Sequence, residues 1–373
     1  MKTRHIFLVL FFQLITAINL AQTRDCWPSF RGNQQLTGTS TVQLPSSLSL
    51  LWTFQTGDDI KSSAVICDNM IFIGSDDGFV YALSIDGKLV WKYNAGTSVE
   101  APPLYLDKTV YVGSLEGAMF ALDAKSGNLK WKYLTDGQIS GSANWVFSSN
   151  KKSKNIIFGS YDFNLHCVDA LSGKAIWKYE SDNYINGAPA NDGKTAIFGG
   201  CDGQLHLVNV NTGKAADKIP IGTYVAASAA ISGDMAFVGD YDGKVYGVDV
   251  KNKKIAWKYE GPGEILSSPA LSGEKVIIGT RDKNVYCLNK SNGSLVWKFK
   301  SLGKIESSPV ITKNAVVVAS GDGRIYFLNV ETGETIWSYE IGSPVTSTPA
   351  VTQKLVVVGA QDGRVYAFGV KQK

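Results

Sequence analysis

An acidic residue followed by glycine recurs along this chain at a nearly constant spacing, and that repeat limits the folds open to it more than any other feature. Asp77-Gly78, Glu116-Gly117, Asp202-Gly203, Asp242-Gly243, Asp322-Gly323 and Asp362-Gly363 carry the pair intact; Asp162-Phe163 and Asp282-Lys283 are degenerate copies. Successive copies lie 39 or 40 residues apart, except for one interval of 46 between Glu116 and Asp162. Tryptophan keeps the same beat at Trp52, Trp91, Trp131, Trp177, Trp257, Trp297 and Trp337, and Asp217 stands where an eighth would fall. A fixed period in this range is the signature of a modular array.

Each unit reads as four short strands. In the sixth, residues 267–271, 275–280, 285–289 and 295–300 are rich in β-branched and aromatic side chains, which favour strands. Turns with glycine, which supplies the positive φ of tight hairpins, separate them. Four strands in about forty residues indicate a propeller blade rather than a helical solenoid. The fold class is therefore all-β: an eight-bladed propeller with four antiparallel strands per blade. The last unit ends at Val370 after its third strand, while the strand around Trp52 precedes any complete unit. The N-terminal strand is expected to complete the last blade, which closes the ring and leaves no unpaired edge.

Three segments follow. Residues 1–21 combine Lys2 and Arg4 with a mostly apolar stretch, 6–20, and read as a signal peptide cut after Ala21; an uncleaved anchor is the alternative. Residues 22–48 form an N-terminal strap anchored by Trp27 and Phe30, and residues 49–373 form the propeller. Thr23, Arg24 and Asp25 before Cys26 are wrong for lipidation, so the expectation is an exported, periplasmic or extracellular protein without a lipid. Losing residues 1–21 removes Lys2 and Arg4 and no acid, which takes the formal charge from +4 to +2. With no clustered basic stripe, nucleic acid is not an expected partner. The five cysteines include no C-x-x-C, which argues against metal and redox motifs. A Cys26–Cys67 disulfide stays open as one pairing for an oxidising compartment.

The blocks Ala121-Leu122-Asp123-Ala124-Lys125-Ser126-Gly127-Asn128-Leu129-Lys130-Trp131 and Cys167-Val168-Asp169-Ala170-Leu171-Ser172-Gly173-Lys174-Ala175-Ile176-Trp177 resemble the tryptophan-docking motif of the pyrroloquinoline-quinone (PQQ)-like repeat family, the quinoprotein-dehydrogenase-like propellers. Trp27-Pro28-Ser29-Phe30-Arg31-Gly32 is similar to the start of many single-propeller members. The resemblance implies that Trp52, Trp91, Trp131, Trp177, Trp257, Trp297 and Trp337 are structural docking residues between blades. It also implies two functional branches. One holds PQQ and Ca²⁺ over the central channel; the other, typified by BamB-like outer-membrane assembly proteins, is non-catalytic and binds protein. In size and eightfold regularity the chain is similar to the second branch, and no cofactor is expected. It lacks the long insertions and the vicinal disulfide of the enzymes.

The connection from each outer strand to the next inner strand should line the mouth of the channel. The repeat register gives one ring there: Lys61, Glu100, Ser140, Asn186, Ala226, Leu266, Glu306 and Thr346. Two residues earlier lies a second: Asp59, Ser98, Gln138, Tyr184, Tyr224, Glu264, Lys304 and Pro344. Glu264 and Glu306 with Lys304, or Asp59 and Glu100 with Lys61, are the polar clusters from which a PQQ- and Ca²⁺-dependent dehydrogenase of alcohols or sugars, the alternative reading, would have to be built. His166 and His206 fall where other units place Tyr or Phe, so blade packing explains them better than metal binding. Tyr161, Phe163, Tyr184, Tyr224 and Tyr241 crowd one sector of the mouth face, with Arg281 one blade further. Tyrosine and arginine are enriched at interface hot spots. The sector is thus a candidate site for an envelope protein or peptide, with carbohydrate as a further class. The chain is read as a monomer, with any membrane association made through its partner.

Overall fold

The computed structural model describes residues 25–261 and 263–371. The signal-peptide reading of residues 1–21 lies outside the described residues. Thirty-two strands, β1 to β32, form eight four-stranded antiparallel sheets arranged as propeller blades. The closing strand is where the chain ends place it: β1 (Ser49–Gln55) pairs with β32 (Arg364–Gly369), from Ser49 opposite Gly369 to Gln55 opposite Arg364. Among the described residues no helix is long and apolar enough to cross a membrane.

Inner strands are shorter than the composition suggests. In the sixth blade β22 is only Ala270–Ser272, not residues 267–271. Pro269 has no N–H to give a ladder, and Ser267 replaces the ladder with its side chain, which accepts from Gly279 N at 2.9 Å and donates to Gly279 O at 2.8 Å. Outer strands show a register shift in every blade, as between Cys287 and Leu288 opposite Trp297. Such a bulge re-aims the neighbouring side chains. Six indoles then donate to a carbonyl of the next blade's turn, among them Trp91 to Ala124 O and Trp257 to Lys290 O. The turn residue beneath each indole is glycine. A Cβ on Gly293 would sit 2.4 Å from the Trp257 ring, and the φ of +73° there already favours glycine. Trp337 has no such turn ahead of it and packs on Phe327 and Phe368.

Between the sheets, apolar side chains of adjoining blades interdigitate, as Val65, Phe72 and Val80 do with Val110, Phe120 and Leu122. Residues 25–48 run across the face opposite the mouth and bond almost every inner strand in turn. Trp27 bridges Ile66, Tyr105 N donates to Pro28 O, Asn191 N to Gln34 O, Ile231 N to Gln35 O, Leu271 N to Thr37 O and Ile311 N to Gly38 O. Trp27 is buried, and Cys26 is disulfide-bonded to Cys67, which ties the start of this segment to the first blade.

Candidate functional site

The mouth is built by one rule applied eight times. The turn between the second and third strands donates a backbone N–H to the carbonyl of the residue two before the channel ring. Tyr161 N bonds Gln138 O, Cys201 N bonds Tyr184 O, Tyr241 N bonds Tyr224 O, and Arg281 N bonds Glu264 O; the other four blades repeat this. In six blades the same turn's aspartate also accepts from a tyrosine or histidine on the third strand, while Tyr246 donates instead to Asp240. Tyr81 donates to Asp77 (2.5 Å), Tyr286 to Asp282 (2.6 Å), Tyr326 to Asp322 (2.7 Å) and Tyr366 to Asp362 (2.5 Å). His166 and His206 make this bond to Asp162 (2.9 Å) and Asp202 (2.7 Å), and their other ring nitrogens meet the Tyr133 and Tyr179 hydroxyls. Both rings are spent on blade packing, and among the described residues no group of three His, Cys, Asp or Glu side chains could hold a metal.

At two of these turns the bonds lower the carboxyl pKa against burial. Burial alone would raise the Asp162 carboxyl, but the hydrogen bonds and charge of His166, with those of Asn164, outweigh it and hold the group well below the usual carboxylate range. Burial is likewise outweighed at Asp282 by Thr280, Tyr286 and Asn284. The turns place one acidic residue per blade on the mouth face, and Lys244 and Arg364 answer those at Asp242 and Asp362.

All eight residues of the channel ring, from Lys61 to Thr346, line one central cavity of about 180 Å³. A second tier of serine and threonine lies below. There Ala188, Ser228, Ser268, Ser308 and Thr348 each donate a backbone N–H to the hydroxyl of the next blade, ending on Ser63. Phe30 lines the cavity from the strap side. Arg31 beside it is fully buried and donates to Pro309 O (2.5 Å) and Pro269 O (2.7 Å). Burial pushes its pKa down, to about 9, which leaves it a cation at neutral pH. The channel is thus a blind funnel, stopped by the strap.

The candidate residues fall into two connected groups. Tyr184 packs on Tyr161 (centroids 4.9 Å apart) and on Phe163 (5.1 Å). Tyr224 stacks on Tyr241 at 4.3 Å, and Tyr241 also hydrogen-bonds Glu264. The sequence pairs Glu264 and Glu306 with Lys304; in the structure the cation between them is Arg281, bonded to Glu264 through Nη1 and to Glu306 through Nε, both at 2.6 Å. Its longer planar fork reaches two carboxylates at once, while Lys304 lines an adjoining recess with Pro344 and Gln361. The Arg281 bond holds the Glu264 carboxyl below the ordinary range. Lys61 similarly pairs with Glu100 (2.7 Å) and with Asp76 (2.9 Å) rather than Asp59. Asp76 was missed as a partner because it comes from the turn, not the ring. Its place directly before Asp77-Gly78 was the available signal.

The two groups share the mouth face and together span an arc from Tyr161 and Phe163 on the third blade to Glu306 at the entrance to the seventh. Tyr184 and Phe163 are its exposed apolar part, at 44% and 38%.

The family described as outer membrane protein assembly factor BamB matches residues 39–259, 202–304 and 260–372. No curated protein sequence matches the chain significantly. Among solved structures, BamB from Moraxella catarrhalis is 18% identical, with a TM-score of 0.75 over 87% of this chain and 100% of that one. A europium-containing methanol dehydrogenase is 14% identical, with a TM-score of 0.77 over 92% and 98%. The quinohemoprotein alcohol dehydrogenase from Comamonas testosteroni is 15% identical, with a TM-score of 0.78 over 94% and 81%. At these identities the likeness is one of fold.

Proposed function

The chain belongs to the family of outer membrane protein assembly factor BamB, and from that premise we propose that it is an exported, non-catalytic scaffold of the cell envelope that binds a protein or peptide on its mouth face. The observation that carries this reading is the arc from Tyr161 to Glu306. Exposed aromatic rings share this face with a charged clamp whose members are already paired. Such a surface buries large, pre-positioned side chains at little entropic cost, and its charges need no new partner when water leaves. The acidic residues of the turns around it favour a partner bearing basic residues, which they would steer toward the mouth.

The quinoprotein reading does not suit the donor set. PQQ carries three carboxylates and needs free Arg or Lys. Arg281 is committed to Glu264 and Glu306 and Lys61 to Asp76 and Glu100, which leaves Lys304 alone among the mouth-ring cations outside an ion pair among the described residues, one lysine against three carboxylates. Ca²⁺ wants six to eight oxygen ligands, and among the described residues no three His, Cys, Asp or Glu side chains converge to begin such a set.

The test replaces Tyr184 and Tyr224 with alanine and captures partners from the native envelope by crosslinking. Loss of one defined protein, with the melting curve unchanged, is the expected result. Undiminished capture would remove the aromatic sector from the reading. Saturable binding of PQQ with Ca²⁺ in a calorimetric titration, with turnover of an alcohol or sugar, would replace the scaffold with an enzyme.

A further inference from the structure

On the face opposite the mouth, the third blade departs from the repeat twice at one spot. Its first turn carries the extra residues of the 46-residue interval, with Lys151, Lys152 and Lys154 and no acid between residues 148 and 154. Its second turn places Leu171 where the other blades that have this turn place Lys125, Asn211, Lys251, Ser291 and Glu331. Leu171 is 88% exposed, the most exposed large apolar side chain among the described residues, and Phe147 beside the inserted loop is 49% exposed. Both line one open cleft of about 380 Å³ with Lys130, Lys152 and Lys154.

The two turns are held in place. Ala170 O, next to Leu171, accepts from Tyr111 Oη and Trp131 Nε1, each at 3.0 Å, and Asp169 accepts from Ser172 N at 2.8 Å. In the inserted loop Ser148 N donates to Ser153 O at 2.9 Å and Lys152 N to Asn150 Oδ1 at 2.9 Å, and Lys151 is held at a φ of +56°. Lys154 and Lys130 are answered by Asp107 and Asp123. Lys151 and Lys152 are exposed and have no neighbouring acid in the loop. A rigid turn presenting one bare leucine beside unanswered lysines suits neither blade packing nor the concave hot spot of a protein interface.

We propose that this edge of the third blade docks peripherally on an anionic lipid surface. Leu171 and Phe147 enter the apolar boundary, Lys151 and Lys152 lie on the phosphates, and their aliphatic stems cover the leucine. The contact leaves the mouth free and does not depend on what the mouth binds.

The mature chain is sedimented with vesicles of phosphatidylcholine alone and of phosphatidylcholine with phosphatidylglycerol, at low and high salt. Binding only to the phosphatidylglycerol vesicles, and only at low salt, is expected. Leu171→Asp and the double variant Lys151→Ala/Lys152→Ala should each weaken it about tenfold; both sites are exposed, so folding is checked by an unchanged melting curve. Tyr184→Ala/Tyr224→Ala should sediment as the parent does, which separates this proposal from the mouth reading. Equal binding to both vesicle types, no binding to either, or variants that bind like the parent would overturn it. So would soluble polyglutamate competing as well as vesicles while Leu171→Asp has no effect, because the patch would then be a general polyanion site.

Discussion

His206 stands where most blades use a tyrosine, and the substitution changes how the blade responds to acid. Its ring is buried, stacked on Phe198 at 4.8 Å and bonded at both nitrogens. Burial lowers its pKa below the ordinary histidine value, against the raising pull of Asp202. Between that depressed value and about 6.5, the unfolded chain takes up a proton that the folded chain refuses. Stability therefore falls as pH drops through this window and is fully present above it. A tyrosine would keep the bond to Asp202, as Tyr286 does to Asp282, without titrating in that range. We expect His206→Tyr to lie within about 1 kcal/mol of the parent at neutral pH and to lose less stability on acidification. Urea midpoints at about pH 7.5 and 5.5 measure this; equal acid sensitivity in the two proteins would assign the effect to other groups. Arg31 is the second residue whose burial sets its chemistry. With two carbonyl partners and no carboxylate, it is held by the strap and the sixth and seventh blades together.

At the scale of elements, the docking unit is an indole on one blade and a glycine on the next, and one pair breaks the rule on both sides. Asp217 replaces the tryptophan of the fourth blade, and Lys253 replaces the glycine of the fifth at a φ of +56°. The two form an ion pair of 2.8 Å. The exchange is self-consistent, since a side chain at 253 would collide with an indole at 217 as a Cβ on Gly293 would with Trp257. Asp217→Trp alone should therefore destabilise by about 1–3 kcal/mol. Lys253→Gly alone relieves the positive φ but strands Asp217. The double variant should restore the docking unit, with a coupling energy of about 1–2 kcal/mol in a double-mutant cycle; strict additivity would mean that the pair is incidental. The sequence made the gap at Asp217 visible, because the tryptophan beat breaks there. The answering Lys253 could not be read, because a lysine in a turn looks ordinary until its partner across the blades is known.

The same division between local and cross-blade information runs through the whole molecule. Blade count, ring closure by the strand around Trp52 and the lining of the funnel were legible because each follows from register within the repeat. The strap's Arg31 was not, since residues before the first blade share no register with it, and for the same reason the Cys26–Cys67 bond could be read only as one open pairing. Nor was the exchange of Lys304 for Arg281, which depends on side-chain reach. What register does give is polarity: turn aspartates face the mouth, and the inserted lysines face the other way. A molecule so built can meet a membrane on one face and a partner on the other, and site-directed labelling tests that orientation. In a Cys201→Ser background, one thiol is placed at the mouth by Asp136→Cys and another beside the third-blade leucine by Ser172→Cys. Both native positions are exposed, so both thiols should react freely with a maleimide in solution. On vesicles containing phosphatidylglycerol, the thiol at 172 should be shielded severalfold while the thiol at 136 keeps its rate. Shielding of both would mean that the propeller lies on its side against the lipid, with the tyrosine arc partly covered. Shielding of 136 alone would turn the molecule over and place the acidic mouth against the anionic surface, which its own charge opposes.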